Sequence, residues 1–266
     1  MNAWRALWRK DVRLVGNLGR LLRRQSLFKV AFVLCFATAL MVGFYLLFLD
    51  GFDFLARLGG PSFLITRRLF ALAYFSLGAM LLLSSLLTSY STLFRSRETA
   101  YLLTLPVDMQ DLVTYKFFQS AALASWAFFF LLLPFSAAYG RHERLGPAFA
   151  LGTIVFAVPF VLLCAGLGTA VSLLILRWLP RPRPHWVVAL VVAVGLWFLV
   201  IPRGPVPPLD ESSLLLHRVL PGLRLAAHPL APSWWTAEGI MALARGQVGR
   251  GLMLWVVLVS NTLMLG

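Results

Sequence analysis

Six hydroxyl side chains crowd into nine residues of one apolar run: Ser84, Ser85, Thr88, Ser89, Ser91 and Thr92. On a helix they gather on one face, where they could meet a polar solute or water. They could equally bond a carbonyl of their own helix or of a neighbour, as Ser and Thr commonly do in membranes. Ser84, Ser85, Thr88, Ser89 and Thr92 are therefore candidates either to line a pathway or to pack. Catalytic groupings are harder to assemble. His142-Glu143 begins like a zinc-protease signature, but Gly146 stands where the second histidine belongs. His185, His217 and His228 fall between or beside apolar runs, where a lone histidine is ordinarily structural. Cys35 and Cys164 occupy different runs with no His or acidic neighbour, which indicates neither a disulfide framework nor a metal site. No G-x-x-x-x-G-K-[ST] loop occurs, so ATP has no site of that kind here. No catalytic, cofactor-binding or metal-binding residue is assigned.

The elements that must position these groups are long and apolar. Sixty per cent of the 266 residues are hydrophobic, 13% are charged, and mean hydropathy is +0.82. That exceeds what a soluble core of this size needs. Uncharged runs predict complete membrane spans at about 30–49, 69–93, 117–139, 148–176 and 186–201, with the start of a sixth at 252–266. The span at 186–201 is short and fenced by Pro184 and Pro202, so it must recruit flanking residues or thin the bilayer. Pro159 is expected to bend the fourth span. Gly168 with Ser172, and Ala165 with Thr169, have the small-xxx-small spacing of closely packed helices. The expected fold is all-α: a polytopic helical membrane protein with five complete transmembrane helices, the start of a sixth, and an N-terminal cytoplasmic amphipathic helix. Residues 1–29 form that interfacial helix and 30–266 the transmembrane domain. A chain that stops inside a span reads as the N-terminal half of a longer one.

None of the five complete runs holds an Asp, Glu, Lys or Arg. Proton relays, ion-coupled carriers and intramembrane metalloenzymes need such groups at depth, so these runs argue against all three. The net charge of +14 would suggest nucleic acid in a soluble chain, but here the charges lie between the runs, where the positive-inside rule accounts for them. Nucleic acid is not an expected partner. Eight basic residues precede the first run and place the N-terminus in the cytoplasm of a multi-pass protein. Within that segment Trp4, Leu7, Trp8, Val15, Leu18, Leu21 and Leu22 recur at helical spacing among arginines. This pattern suits a helix lying on the inner membrane surface, in contact with lipid headgroups.

Two segments between spans carry further structure. Residues 94–116 end one run with Arg95, Arg97 and Glu98, expose a short apolar patch, and break at Pro106. Asp108 is placed as an N-cap for the next helix, which runs through Lys116 into the third span. The outer segment, 202–251, is expected to hold one helix over 210–220 and a second over Trp234–Arg245, capped by Ser233 and closed by Gly246. Trp234 and Trp235 are expected at the outer headgroup level, as interface anchors or as a lid.

The run SRETAYLLTLPVDMQDLVTYK resembles the segment between the second and third spans of ATP-binding cassette exporter permeases of the type-2 class. Ser96, Arg97, Glu98, Leu102, Leu103, Leu105, Pro106 and Lys116 occupy the matching positions. In many relatives a Ser and a basic residue follow the Pro-Val pair; here Asp108, Met109 and Gln110 stand instead. The amphipathic N-terminal helix and the stretch HPLAPSWWTAEGIMALARGQ from His228 are similar to further features of that family. The resemblance implies that Arg95, Arg97, Glu98, Tyr101, Leu102, Leu103, Leu105 and Pro106 form a coupling surface resting on an ABC ATPase subunit. It also implies that ATP and Mg bind to that partner, that a second permease half or a second copy completes the pathway, and that the location is the cell inner membrane. Two alternatives remain open from the residues: a membrane enzyme acting on lipid with catalytic groups further along the chain, and a non-transporting scaffold or sensor.

Overall fold

A computed structural model describes residues 27–57, 62–91, 109–178, 228 and 231–265. Among these, six helices follow one another: α1 (Leu27–Arg57), α2 (Ser62–Tyr90), α3 (Met109–His142), α4 (Pro147–Trp178), α5 (Pro232–Ala244) and α6 (Val248–Leu265). Five of them, α1 to α4 and α6, are long and apolar enough to cross a membrane. The described residues contain no strand, and the chain is an all-helical membrane protein. The expected span at 186–201 and almost all of the N-terminal amphipathic helix lie outside the described residues.

The helices overrun the uncharged stretches that predicted them. α1 continues past Leu49 through Asp50 and Asp53 to Arg57, and α2 begins at Ser62 rather than Leu69. Much of the stretch between the first two expected spans is therefore helix. At about 1.5 Å per residue, the 31 residues of α1 reach about 46 Å, well beyond a hydrocarbon core of about 30 Å. The charged turns thus project to the headgroups, where side chains meet water while the backbone keeps its helical bonds.

α2 is the central element, lying against α3, α4 and α5, whereas α1 rests mainly on α3. The core is aromatic at the end where α1 finishes and α2 starts. Phe70 stands 4.8 Å from Phe135 and 4.6 Å from Tyr139, ring centre to ring centre, and Phe52 lies 5.4 Å from Tyr139. Such edge and tilted contacts add to the burial of large rings. α1 otherwise presents Phe28, Phe32, Val33, Leu34 and Phe36 outward, a face compatible with lipid.

Two tight turns at this end share one geometry. After α3, Leu145 N–H donates to the Gly140 carbonyl and Arg144 N–H to Arg141, with Arg144 at φ 52°. After α5, Gln247 N–H donates to Ala242 and Gly246 N–H to Leu243, with Gly246 at φ 73°. Both are Schellman closures, in which a left-handed residue lets the chain satisfy the last carbonyls of the helix. The closing role expected of Gly246 holds. Arg144 adopts the same conformation with a side chain, at a cost of about 1–2 kcal/mol.

α6 docks on α4 where proline has damaged the ladder. Pro159 has no N–H, so the Val155 carbonyl one turn earlier loses its helical donor. The Trp255 indole N–H of α6 donates to that carbonyl at 3.1 Å. The Thr262 hydroxyl, bonded to Leu258 in its own helix at 2.8 Å, also reaches the Pro159 carbonyl at 3.1 Å. A neighbouring helix thereby restores what the imino acid removed. Trp255→Phe keeps the ring and deletes the donor, and should destabilise the fold by about 1–2 kcal/mol. A lowered unfolding midpoint of the detergent-purified chain is the check. Arg144→Gly should shift the same midpoint upward, by the relief of about 1 kcal/mol of backbone strain.

Candidate functional site

The hydroxyl stripe of α2 divides by depth. Ser85 and Ser89 are buried, whereas Ser84 and Thr88 are half-buried; Ser91 is exposed and donates to the Thr88 carbonyl. Thr92 lies outside the described residues. The Ser85 hydroxyl donates across to the Ala165 carbonyl of α4 at 3.1 Å. Ser89 meets Thr169 of α4 at 2.9 Å and Ser120 of α3 at 3.2 Å. Three helices are thus joined by hydroxyls at one level. Gly168 permits the approach: a Cβ there would sit 2.9 Å from the Leu82 carbonyl oxygen and 3.0 Å from Ser85 Cβ. The small-residue spacing on α4 marks this seam, and the two deepest hydroxyls of the stripe serve packing.

One turn before Ser120 on the same face of α3 lies Lys116, only 1% exposed. Its ammonium donates to Gln119 Oε1 at 2.9 Å and stands 5.6 Å from the centre of the Tyr115 ring. A buried cation of this kind needs such partners, because losing water without replacement is costly. The sequence placed Lys116 at the entrance to a span and gave no sign of its burial. The coupling residues Arg95, Arg97, Glu98, Tyr101, Leu102, Leu103, Leu105 and Pro106 all lie outside the described residues.

Among the described residues, the strongest electrostatic feature lies at the opposite end of the bundle. Glu238 of α5 is 3% exposed, and three arginines converge on its carboxylate. Arg67 Nε of α2 donates to Oε2 at 2.8 Å, and Arg250 of α6 reaches Oε1 at 3.0 Å. Arg245, at the C-cap of α5, approaches Oε1 at 3.5 Å and also donates to the Met241 carbonyl at 3.1 Å. Sequence reasoning missed this group. Glu238 is a lone acid in an apolar stretch, and Arg67 lies 171 residues away. In the sequence Arg67-Arg68 shows only as charge just before an apolar run.

α5, which carries the carboxylate inward, starts earlier than expected. The expected N-cap at Ser233 is corrected: Ala231, in extended conformation, occupies that position and makes no side-chain cap bond. Pro232 takes the first helical position, where its fixed φ and missing N–H suit a helix start. Ser233 is therefore buried inside the first turn. Trp234 and Trp235 are half-buried and pack on the core, so both rings contribute to holding α5 in place.

Other candidates resolve more simply. His142 Nδ1 lies 2.7 Å from the Asp53 carboxylate and its ring stacks on Phe52 at 6.1 Å, tying α3 to α1. His228 is exposed. Among the described residues no three His, Cys, Asp or Glu side chains gather as metal ligands. An apolar cavity of about 450 Å³ opens between α1, α2 and α3, lined by Leu47, Phe48, Leu69, Leu72, Leu77 and Phe135 among others. Such walls accept hydrocarbon rather than a polar solute.

The distances rank the arginines. Glu238→Ala removes all three pairs and should destabilise the fold by about 2 kcal/mol, less than for a fully buried network because each guanidinium is partly solvated. Arg250→Ala, which removes a side chain that is half exposed, should cost less than about 1 kcal/mol. Thermal unfolding of the two variants side by side would reveal the order; equal losses would contradict it.

Comparison with known proteins completes the description. No curated protein and no solved structure matches this chain. A protein family described as "Putative ATP-binding cassette" matches residues 22–266, which takes in all six helices. The chain belongs to that ATP-binding cassette family.

Proposed function

We propose that this chain is the transmembrane permease subunit of an ATP-binding cassette exporter, and that a separate subunit binds ATP and Mg and carries out hydrolysis. The observation that carries this reading is the makeup of the family-matched stretch. It is built from membrane-length apolar helices, and the sequence contains no phosphate-binding loop. On this reading nucleotide chemistry comes from a partner, while these helices offer a route through the bilayer.

In this mechanism the segment between α2 and α3 is the coupling surface. ATPase closure pushes on Glu98 to Pro106 and rocks α2 and α3, which the Ser85, Ser89 and Gly168 seam ties to α4. Force entering at one end would thus be shared by three helices at once. Transport further requires that the substrate make different contacts in the two states of the bundle. On this reading the chain sits in the bacterial inner membrane, as the family resemblance implies, and the eight basic residues before the first span favour a cytoplasmic N-terminus. A second permease half or a second copy of the chain would complete the pathway.

Affinity purification of the full chain from native membranes tests the assignment. An ATPase should accompany it, and either Glu98→Arg or Leu103→Asp should reduce the recovered ATPase activity about tenfold, as loss of a contact hot spot does. Membrane insertion of both variants should match the wild type. Recovery of a pure chain with no associated nucleotide hydrolysis would refute the permease reading.

A further inference from the structure

The arginines around Glu238 exceed what burying one carboxylate requires. A single bidentate guanidinium can satisfy both oxygens of a carboxylate. Here Arg67, Arg245 and Arg250 converge from α2, α5 and α6 on one side chain, leaving two positive charges in excess. The three arginine side chains are 38%, 30% and 49% exposed while Glu238 is 3% exposed, so the acid sits beneath and the guanidiniums face outward. Each guanidinium has five N–H donors in a planar fork, and the bonds to Glu238 use only some of them.

The described surroundings do not cancel this excess. Among the described residues at this end, Arg57, Arg68, Arg141 and Arg144 stand against Asp50, Asp53 and Glu143, and Asp53 is engaged by His142. The cluster also has a fixed depth. Arg67 precedes the apolar part of α2, and Arg250 lies in the first turn of α6, so both stand where spans leave the hydrocarbon. That level is occupied by lipid phosphates, and converging arginine forks match a tetrahedral oxyanion better than any neutral group.

We propose that Arg67, Arg245 and Arg250, gathered by Glu238, form a binding site for a phosphate oxyanion at the membrane surface. Glu238 holds the guanidiniums together when no anion is bound and competes with the incoming anion, which keeps binding reversible. The phosphate can belong to an anionic lipid headgroup or to a soluble phosphate; the chemistry recognised is the same. The site does not depend on the permease reading, since it rests on three helices and their charges alone.

The test uses the full chain, purified with whatever subunits accompany it, in dodecyl maltoside micelles. Dioleoylphosphatidylglycerol and dioleoylphosphatidylcholine are titrated with native mass spectrometry as readout, and radiolabelled inorganic phosphate is followed by equilibrium dialysis. Saturable binding of phosphatidylglycerol over phosphatidylcholine, without inorganic phosphate, identifies a lipid source; binding of inorganic phosphate identifies a soluble one. Arg250→Gln should weaken the bound species about tenfold, the loss expected for one charge-assisted bond, with Arg250→Lys in between. Glu238→Gln should tighten it, because the competing charge is gone and the shape is kept. A purely structural ion-pair network has no reason to produce that opposite sign. If Arg250→Gln fails to fold, the Glu238→Gln titration decides alone. The proposal is overturned if neither probe binds, if Arg250→Gln binds as the wild type does, or if Glu238→Gln weakens binding.

Discussion

Hydrocarbon offers the backbone no hydrogen-bonding partner, and nearly every feature of this protein answers that deficit. The apolar runs are helices because only a helix satisfies each N–H and C=O within its own segment. Pro159 is the informative breach. It removes one donor in the middle of α4, and the missing bond is supplied from α6 by Trp255. The contact that repairs α4 also fixes where α6 packs, so a local covalent oddity in one helix becomes a tertiary constraint on another.

Hydroxyl side chains follow the same rule. Thr153, Thr169 and Thr236 bond carbonyls one turn back in their own helices, while Ser85 and Ser89 bond across the α2–α4 seam. Charge obeys a stricter version. Glu238 and Lys116 are each nearly inaccessible, at opposite ends of the bundle, and each is met by partners. The middle of the described bundle is left to aromatic and aliphatic packing, with Leu81, Phe128 and Phe160 among its fillers.

Much of the architecture was legible in the sequence. Five helices appeared as apolar runs, α5 was anticipated between the paired tryptophans and Gly246, and the small residues at Ala165, Gly168, Thr169 and Ser172 marked a close helix approach. Boundaries were less legible, because charge marks the edge of hydrocarbon and not the end of a helix. Asp50 and Asp53 sit within α1 for that reason. The start of α5 also misled: Ser233 has the chemistry of a cap, but the proline before it takes the first helical position and starts the helix two residues earlier. Periodicity gave the face on which the α2 hydroxyls lie but not their partners, since the Ser89–Thr169 contact depends on the register of α4 against α2. The Glu238 cluster was hidden altogether. Its members come from three separate elements, and no spacing along the chain relates Arg67 to Glu238.

The paired Schellman closures have a mechanical consequence. Residues 143–146 join α3 to α4, and residues 245–247 join α5 to α6, each with the terminal carbonyls of the preceding helix already bonded. Links that short and that fully satisfied leave little slack for hinging. Each hairpin should behave as a stiff tuning fork, its two prongs swinging together. Any rearrangement of the bundle then amounts to sliding one fork past another about the α2 shaft, with bending confined to connections other than these two.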